Sequence, residues 1–518
     1  MSLKEALAAA ASLEIDGRTE EAIAELGWAR AAGFASVSLL SALGHLQFEL
    51  GRFEPAATAY AEAIQRDAWD LTALFNRAVC LERLGAWDEA ALAFQHVVDH
   101  DARRSGALLG LGISLLHLDR PQEALDALER CLERQPFRGP ALRGKAMALQ
   151  MLGRHAEALD LYNKLLLRDS QSQELLTNAT ISAIAVGDYD SVTQLARRWL
   201  ELQPDAPQPL ECLALAAFAR RDYAAAVEHS DTLVERTPES YTAWFNRGMA
   251  LQKVGRYGDA AHAYSRAAQI QPQSAEANLG LGTVLQEMEQ WEAAQAAYEG
   301  ALATVPGLRA AVWNLALLGE RRRDFGEAAR LYARLLELHP DSEDGWFRLG
   351  YARFQLGDLP GSIEAFERCL QLSRTRLDAM LNLAAVKWRV GDVQRAREML
   401  HQVLDVEPRA AGAVRCLASM AIEAQDFKQA SVLFQQLLES EGPEPELLYN
   451  TALALQRLGR PEDAAAYYRK ALDHRPGFVE AHLNLGHALM ALGKHEEARA
   501  CWQVALHGNI NLSEHFLV

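Results

Sequence analysis

The chain has 518 residues and a formal net charge of −17, since 69 aspartates and glutamates outnumber 52 lysines and arginines. Binding to nucleic-acid backbones depends on basic side chains that displace counterions, so this balance argues against a nucleic-acid partner. Half of the residues are hydrophobic, yet no run approaches the roughly 20 apolar residues that a membrane-spanning helix needs. We therefore expect no direct membrane insertion.

A short phrase centred on glycine returns every 34 residues along the chain without insertion or deletion. The glycines that begin this phrase are Gly17, Gly51, Gly85, Gly153, Gly187, Gly255, Gly357, Gly391, Gly459 and Gly493. Five registers carry another residue at the same position, namely Asp119, Arg221, Glu289, Arg323 and Gln425. Fifteen registers extend from Leu3 to Leu512. A fixed period of this length is typical of stacked supersecondary units, so we predict an all-α solenoid.

Three further positions repeat around each turn residue. A small side chain lies seven residues before it, and alanine usually lies five residues after it. Four residues later comes a large side chain, such as Tyr60, Phe94 or Tyr298. Two helices approach closely only where neither is bulky, so the small positions predict a tight helical hairpin and the large residue fills the space between hairpins. Prolines such as Pro136 and Pro476 then end the second helix, because proline removes a helical donor.

This pattern resembles the tetratricopeptide repeat (TPR) over the whole chain. The resemblance implies a right-handed superhelical solenoid of about 15 tandem helix-turn-helix repeats. We expect a single array over residues 1–518, with repeats from 3 to 512 and a C-terminal tail at 513–518, since no Ser/Gly-rich or Pro-rich linker interrupts it. In TPR proteins the first helix of each repeat lines a concave groove, so groove residues are read from the register.

Asparagine recurs nine residues before the turn residue, on one face of the first helix. The seven registers that carry it contribute Asn76, Asn178, Asn246, Asn314, Asn382, Asn450 and Asn484. Asparagine is a mediocre helix former, so helix propensity does not explain the choice. The pattern resembles the asparagine ladder in the TPR region of O-linked N-acetylglucosamine transferase, which implies that these amides grip the backbone of an extended peptide. The alternative is that asparagine belongs to the ordinary repeat consensus and supports the fold.

Basic and aromatic residues accompany the asparagines. A basic residue follows seven positions later, nearly two helical turns on, at Arg83, Lys253, Arg321, Arg389 and Arg457. Aromatic residues fall on or beside the same face at Phe75, Phe245, Trp313, Phe347, Tyr351, Trp388 and Tyr449. Amides for backbone, cations for carboxylates and aromatic anchors together predict a groove that binds a protein or an extended peptide. Packing within the repeat is the alternative explanation for the aromatics.

Signals for catalysis, metals and cofactors are weak. The six cysteines never form a C-x-x-C pair, and they fit buried thiols in a reducing compartment. His96 and His100, with Asp99 between them, have a spacing that could hold a divalent ion, but the sequence alone places no third ligand. We therefore expect no metal, no cofactor and no enzymatic activity. The N-terminus carries Glu5 where a signal peptide has its apolar core, so we expect a cytoplasmic protein.

The C-terminal repeat lacks a polar capping helix. The last helix carries Ala498, Cys501, Trp502, Ala505 and Leu506 on the face meant for a neighbour, and Phe516, Leu517 and Val518 could fold back over it. The leading prediction is a non-catalytic interaction scaffold, with possible self-association through uncapped terminal repeats. Two alternatives stay open: the recognition arm of a larger enzyme such as a glycosyltransferase, and a self-assembling structural protein.

Overall fold

The computed structural model describes residues 2–508, which form thirty α-helices and no strand. The expected tail at 513–518, the end of the last repeat at Leu512, and the suggested cover from Phe516, Leu517 and Val518 lie outside the described residues. The predicted all-α class is confirmed.

The chain divides into two compact units, Met1–Pro272 and Gln273–Val518. The first unit contains α1 Leu3–Ile15, α2 Thr19–Ala31, α3 Val37–Glu49, α4 Phe53–Arg66, α5 Leu71–Arg83, α6 Trp87–His100, α7 Ser105–His117, α8 Pro121–Arg134, α9 Gly139–Met151, α10 His155–Leu166, α11 Gln173–Val186, α12 Tyr189–Leu202, α13 Pro207–Ala219, α14 Tyr223–Arg236, α15 Tyr241–Lys253 and α16 Tyr257–Ile270. The second unit contains α17 Ala275–Glu287, α18 Trp291–Thr304, α19 Arg309–Arg321, α20 Phe325–Leu338, α21 Glu343–Gln355, α22 Leu359–Leu372, α23 Leu377–Arg389, α24 Val393–Val406, α25 Ala411–Glu423, α26 Phe427–Glu441, α27 Pro445–Arg457, α28 Pro461–His474, α29 Val479–Ala491 and α30 His495–Gly508. The single continuous array stays a prediction.

Each register forms one helical hairpin, so the odd-numbered helices are the first helices of the repeats. Within each unit, some odd-numbered helices also contact the first helix of the next hairpin, for example α5 with α7, α7 with α9, and α21 with α23. These helices form a shared surface that we call the first-helix face. This is the surface on which the sequence predicts ligand binding.

The residue at the centre of each turn adopts a left-handed backbone conformation. All ten glycines of the repeating phrase have positive φ. The non-glycine residues with positive φ in the described chain are Asp119, Arg221, Glu289, Arg323 and Gln425, which occupy the same turn position. At Gly153, the amide donates to the Gln150 carbonyl and the next amide donates to the Leu149 carbonyl, which satisfies the end of α9. The 34-residue glycine period therefore marks helix ends that need this conformation.

In several hairpins the large residue of the second helix lies against the small position of its own first helix. A Cβ added to Gly282 would lie 2.6 Å from the Tyr298 ring, and one added to Gly248 would lie 2.9 Å from the Tyr264 ring. Tyr60 lies in the same way against Gly44, and its hydroxyl also reaches the next hairpin by accepting from Asn76. These large residues therefore join both helices of one hairpin to the hairpin that follows.

Candidate protein-binding face

The seven predicted asparagines all lie on odd-numbered helices, but their amides have different partners. The Asn76 amide donates to the Tyr60 hydroxyl at 3.3 Å, and the Asn484 amide donates to the Tyr449 hydroxyl at 2.8 Å. Asn382 donates to the carbonyl of Asp378 in its own helix at 2.8 Å. These amides contribute to the local structure and keep their carbonyl oxygens for other contacts.

The remaining predicted asparagines are Asn314, which forms a hydrogen bond with the Tyr298 hydroxyl, and Asn178, Asn246 and Asn450. No side-chain hydrogen bond engages the last three within residues 2–508, and Asn246 is exposed. Four of the seven asparagines therefore have hydrogen bonds that support the fold, as the alternative explanation expects. The side-chain amides of the other three keep both donor and acceptor available to a ligand.

The five predicted cations are the terminal residues of their helices, α5, α15, α19, α23 and α27. All five are exposed, and none has a carboxylate within 4.0 Å in the described chain. A cation at a helix C-terminus interacts favourably with the helix dipole, which accounts for part of this placement. Arg321 also lies over the Trp291 ring at 5.6 Å and Arg389 over the Phe354 ring at 4.9 Å. The charges remain available to an anionic group.

Most of the predicted aromatics pack within their own repeats. Ring contacts join Phe75 to Phe94, Phe245 to Tyr264, Trp313 to Tyr332, Phe347 to Phe366, and Tyr449 to Tyr468, with centroids 5.5–5.8 Å apart. Each pair joins the first helix to the large residue of the second, so the packing alternative explains these positions. Trp388 instead donates from its indole to Glu423 at 3.0 Å, and Tyr351 lies edge-on to Phe325.

A cleft of about 430 Å³ between α19, α21 and α23 gathers several predicted residues in the second unit. Arg321, Phe347, Tyr351 and Asn382 all line it. Its other lining residues, which the sequence pattern did not single out, are Glu320, Arg323, Phe325 and Arg348. The sequence could have identified Arg323, because it occupies the turn position in a register without glycine.

The arginines of this cleft differ in whether a carboxylate pairs with them. Arg348 forms a 2.9 Å ion pair with Glu320, which is largely buried. Arg321 and Arg323 have no carboxylate partner within 4.0 Å in the part of the chain that the structure describes. The buried Tyr332 hydroxyl lies beside Glu320, and desolvation raises its pKa, so that side chain stays neutral. The cleft therefore presents two available guanidinium groups beside aromatic surface.

Two smaller clefts in the first unit contain asparagines without hydrogen-bond partners. Asn178 lies in a cleft of about 220 Å³ between α7, α9 and α11, with Ile113 and Met147. Asn246 lies in a cleft of about 60 Å³ between α13 and α15, beside Leu215 and Met249. The sequence analysis did not identify these aliphatic neighbours. They give the first-helix face apolar pockets next to free amides.

The candidate metal pair His96 and His100 has other contacts. His100 Nδ1 lies 2.8 Å from the His96 carbonyl oxygen, and its ring meets Trp69 edge-on at 4.9 Å. Across residues 2–508, no cluster of three or more His, Cys, Asp or Glu side chains could hold a metal ion. All six cysteines are free thiols. No helix in the same range has the length and apolarity that a bilayer-spanning segment requires.

Comparison with solved structures finds many similar chains at low sequence identity. YrrB, described as a TPR protein with an unusual peptide-binding site, is 21% identical, with 37% of this chain and 98% of that chain covered and a TM-score of 0.34. A chain of the APC/C hetero-tetramer Cut9-Hcn1 is 15% identical, covering 88% and 96%, with a TM-score of 0.35. A chain of Naa15/Naa10 bound to HypK-THB is 13% identical, covering 93% and 95%, with a TM-score of 0.37. A search of curated proteins finds no match.

Family models identify the repeat directly. Tetratricopeptide repeat models match residues 41–107, 109–174, 213–275, 251–318, 309–352, 417–477 and 455–507. The model of the cytochrome c-type biogenesis protein H TPR domain matches residues 333–446. These matches follow the same hairpins that the structure forms on either side of each left-handed turn. The chain therefore belongs to the tetratricopeptide repeat proteins.

Proposed function

We propose that this protein is an interaction scaffold that binds extended segments of partner proteins on the first-helix face. The observation that carries the proposal is the cleft between α19, α21 and α23, where Arg321, Arg323, Tyr351 and Asn382 converge. Repeats of this kind indicate a role in protein–protein interaction. That the bound segment is an extended peptide on the first-helix face is our inference from the side chains there.

The chemistry of the cleft suits an extended segment that carries a carboxylate. Arg321 and Arg323 are exposed and lack acidic partners within the described chain, so a ligand carboxylate would not compete with an internal ion pair. The Asn382 amide uses one donor on its own helix and keeps its carbonyl oxygen for a peptide N–H. Tyr351 and Phe325 offer aromatic surface for a neighbouring apolar side chain.

The resemblance to the asparagine ladder of O-linked N-acetylglucosamine transferase belongs to this proposal. Asn178, Asn246 and Asn450 support it best, because their amides have no internal partner in residues 2–508. Each backbone contact contributes only about 0.5–1.5 kcal/mol, so useful affinity requires several contacts together. The apolar clefts beside Asn178 and Asn246 add anchoring sites for alternate ligand side chains.

The test begins by selecting binding peptides from a displayed random library with the intact chain. Affinities are then measured by fluorescence anisotropy for wild type and for the double variant Arg321→Ala, Asn382→Ala. We expect the variant to weaken binding of groove ligands by at least about tenfold, given the energy of charged and neutral hydrogen bonds. Hydrogen exchange of the complex should show protection within α19, α21 and α23.

The matched control replaces the same residue types elsewhere. Arg395 on α24 and Asn163 on α10 are both exposed, and Arg395 has no ion pair in the described chain. Arg395→Ala, Asn163→Ala should leave the affinities unchanged. If every selected peptide bound the Arg321/Asn382 variant as tightly as wild type, the proposed site would be wrong.

A further inference from the structure

A fourth cleft lies away from the predicted groove residues, where the loop between α8 and α9 meets the end of α10. Its volume is about 420 Å³. The apolar lining comes from Phe137, Leu142, Leu161, Leu165 and Leu167. None of the predicted asparagines, cations or aromatics of the first-helix face contributes to it. We call it the loop-edge cleft.

Leu167 is the most unusual residue of this cleft, because its side chain is 87% exposed. In this register α10 ends at Leu166 and has 12 residues, whereas most second helices have 14. The chain then turns sharply, and the amides of Arg168 and Asp169 both donate to the Leu165 carbonyl. Leu167 consequently points into solvent at the rim.

The register shows that leucine is exceptional at this position. The corresponding residues of the other repeats are mostly polar: Gln65, Asp99, Glu133, Glu201, Glu235, Gln269, Glu337, Gln371, Asp405, Glu439 and Asp473. The remaining ones are Ala31, Ala303 and His507. The fold therefore does not require a large apolar side chain here, since an equivalent hairpin forms repeatedly without one.

Phe137 forms the opposite rim and is 75% exposed. Only Trp69 provides another aromatic residue at the equivalent position of any repeat. Arg168 holds the Phe137 loop in two ways: its guanidinium donates to the Phe137 carbonyl at 3.3 Å and lies 5.4 Å from the ring centroid. The exposed ring is thus fixed in place by a cation, rather than buried in the core.

Basic side chains lie at the rim of this apolar surface and next to its loop in the sequence. Arg134 and Arg138 flank the loop in sequence, and with Arg168 they have no carboxylate within 4.0 Å in the described part of the chain. Lys164, also at the rim, is paired with Asp160. Arg168 lines the cleft itself, and Arg134 and Arg138 lie within three residues of Phe137 in the sequence. This local excess of arginine contrasts with the net charge of −17 of the whole chain. Acidic partners are repelled by most of such a protein and attracted to a local basic site.

We propose that the loop-edge cleft is a second protein-binding site, which takes an apolar side chain of an acidic segment of a partner protein. The apolar side chain enters between Phe137 and Leu167, and the flanking carboxylates meet Arg134, Arg138 and Arg168. Charge complementarity selects the acidic partner, and the cleft supplies the anchor. A recess of this volume favours an inserted side chain over a flat lipid surface. The proposal is independent of ligand binding on the first-helix face.

The probe is a short fluorescein-labelled peptide of glutamates around one central phenylalanine, titrated into the intact protein. We expect saturable binding that weakens with added salt, because exposed charges are screened. Replacing the central phenylalanine with serine, or the glutamates with lysines, should abolish it. Leu167→Gln, which restores a residue used by other repeats, should weaken binding at least about tenfold by removing apolar contact. The double variant Arg134→Gln, Arg168→Gln should also weaken it and reduce the salt dependence.

The matched control is Leu92→Gln on α6, because Leu92 is 73% exposed and lies outside the cleft. It should bind the peptide like wild type. Hydrogen exchange should show protection in the α8–α9 loop and the end of α10. Equal affinity of Leu167→Gln and wild type would overturn the proposal. So would Leu167-dependent sedimentation with phosphatidylserine vesicles in the absence of peptide binding, which would indicate a membrane contact instead.

Discussion

Asn484 on α29 donates a hydrogen bond from its amide to the hydroxyl of Tyr449 on α27, at 2.8 Å. The two residues belong to first helices of consecutive repeats, so the contact joins neighbouring hairpins. Asn76 makes a related contact with Tyr60, which is 2% exposed. Asn178 and Asn246 lack such partners in residues 2–508. The repeated asparagine is therefore hydrogen-bonded to a tyrosine hydroxyl in some repeats and has no side-chain partner in others.

This division predicts different stability effects. The double variant Asn76→Ala, Asn484→Ala should lower the free energy of unfolding by about 1 kcal/mol per site, because each removes a part-buried hydrogen bond to a tyrosine hydroxyl. Alanine at Asn178, Asn246 and Asn450 should leave stability unchanged or slightly raised, since alanine is the better helix former. Urea midpoints measured by circular dichroism compare the two variants directly. Equal midpoint losses would contradict the division.

The left-handed turns give a second prediction. Glu289 and Arg221 have φ of 58° and 63°, a conformation that costs a residue with a Cβ about 1–2 kcal/mol. Glu289→Gly or Arg221→Gly should raise stability by about 0.5–1 kcal/mol, because the relieved strain exceeds the added entropy of the unfolded chain. Gly255→Ala, with φ of 78°, should lower it by a similar amount. Urea unfolding tests the signs, and stabilisation by Gly255→Ala would refute the explanation.

Packing at the small position gives a third prediction. Gly282→Val should destabilise the protein by about 1–3 kcal/mol, because the added Cβ would lie 2.6 Å from the fully buried Tyr298 ring. The control is Gly258→Val on α16, where a Cβ meets nothing within 4 Å. Both variants lose helical glycine and gain the same side chain, so the difference between their melting temperatures measures the overpacking. We expect Gly282→Val to melt clearly below Gly258→Val.

The buried thiols predict a loss of stability in alkali. Desolvation raises the pKa of Cys80, and likewise that of Cys369, from 9.0 to about 11. The unfolded state therefore releases these protons first, and stability falls as pH rises from about 9 towards 11, by at most about 1.4 kcal/mol per pH unit for each thiol. Below pH 9 both states stay protonated and the contribution is constant. Urea midpoints across pH 8–10 should fall less steeply for Cys80→Ala, Cys369→Ala than for wild type.

The amino-acid sequence was sufficient to predict the repeat, its hairpins and their turns. These features are local: the left-handed residue at each helix end and the small position seven residues earlier are fixed by chemistry within one hairpin. Even the five registers without glycine keep the same backbone, because the flanking helices and their packing hold it. The register therefore placed the predicted asparagines and cations correctly on first helices.

The availability of those side chains to a ligand depends on tertiary contacts that the repeat pattern does not predict. Whether an asparagine meets a tyrosine hydroxyl, as Asn484 does, depends on the side chains that the neighbouring repeat presents. The same holds for the convergence of Arg321 and Asn382 in one cleft, since their helices are separated by another hairpin. The loop-edge cleft arises because α10 ends early and turns Leu167 outward. A period repeats backbone positions, whereas contacts between repeats depend on non-repeating side chains.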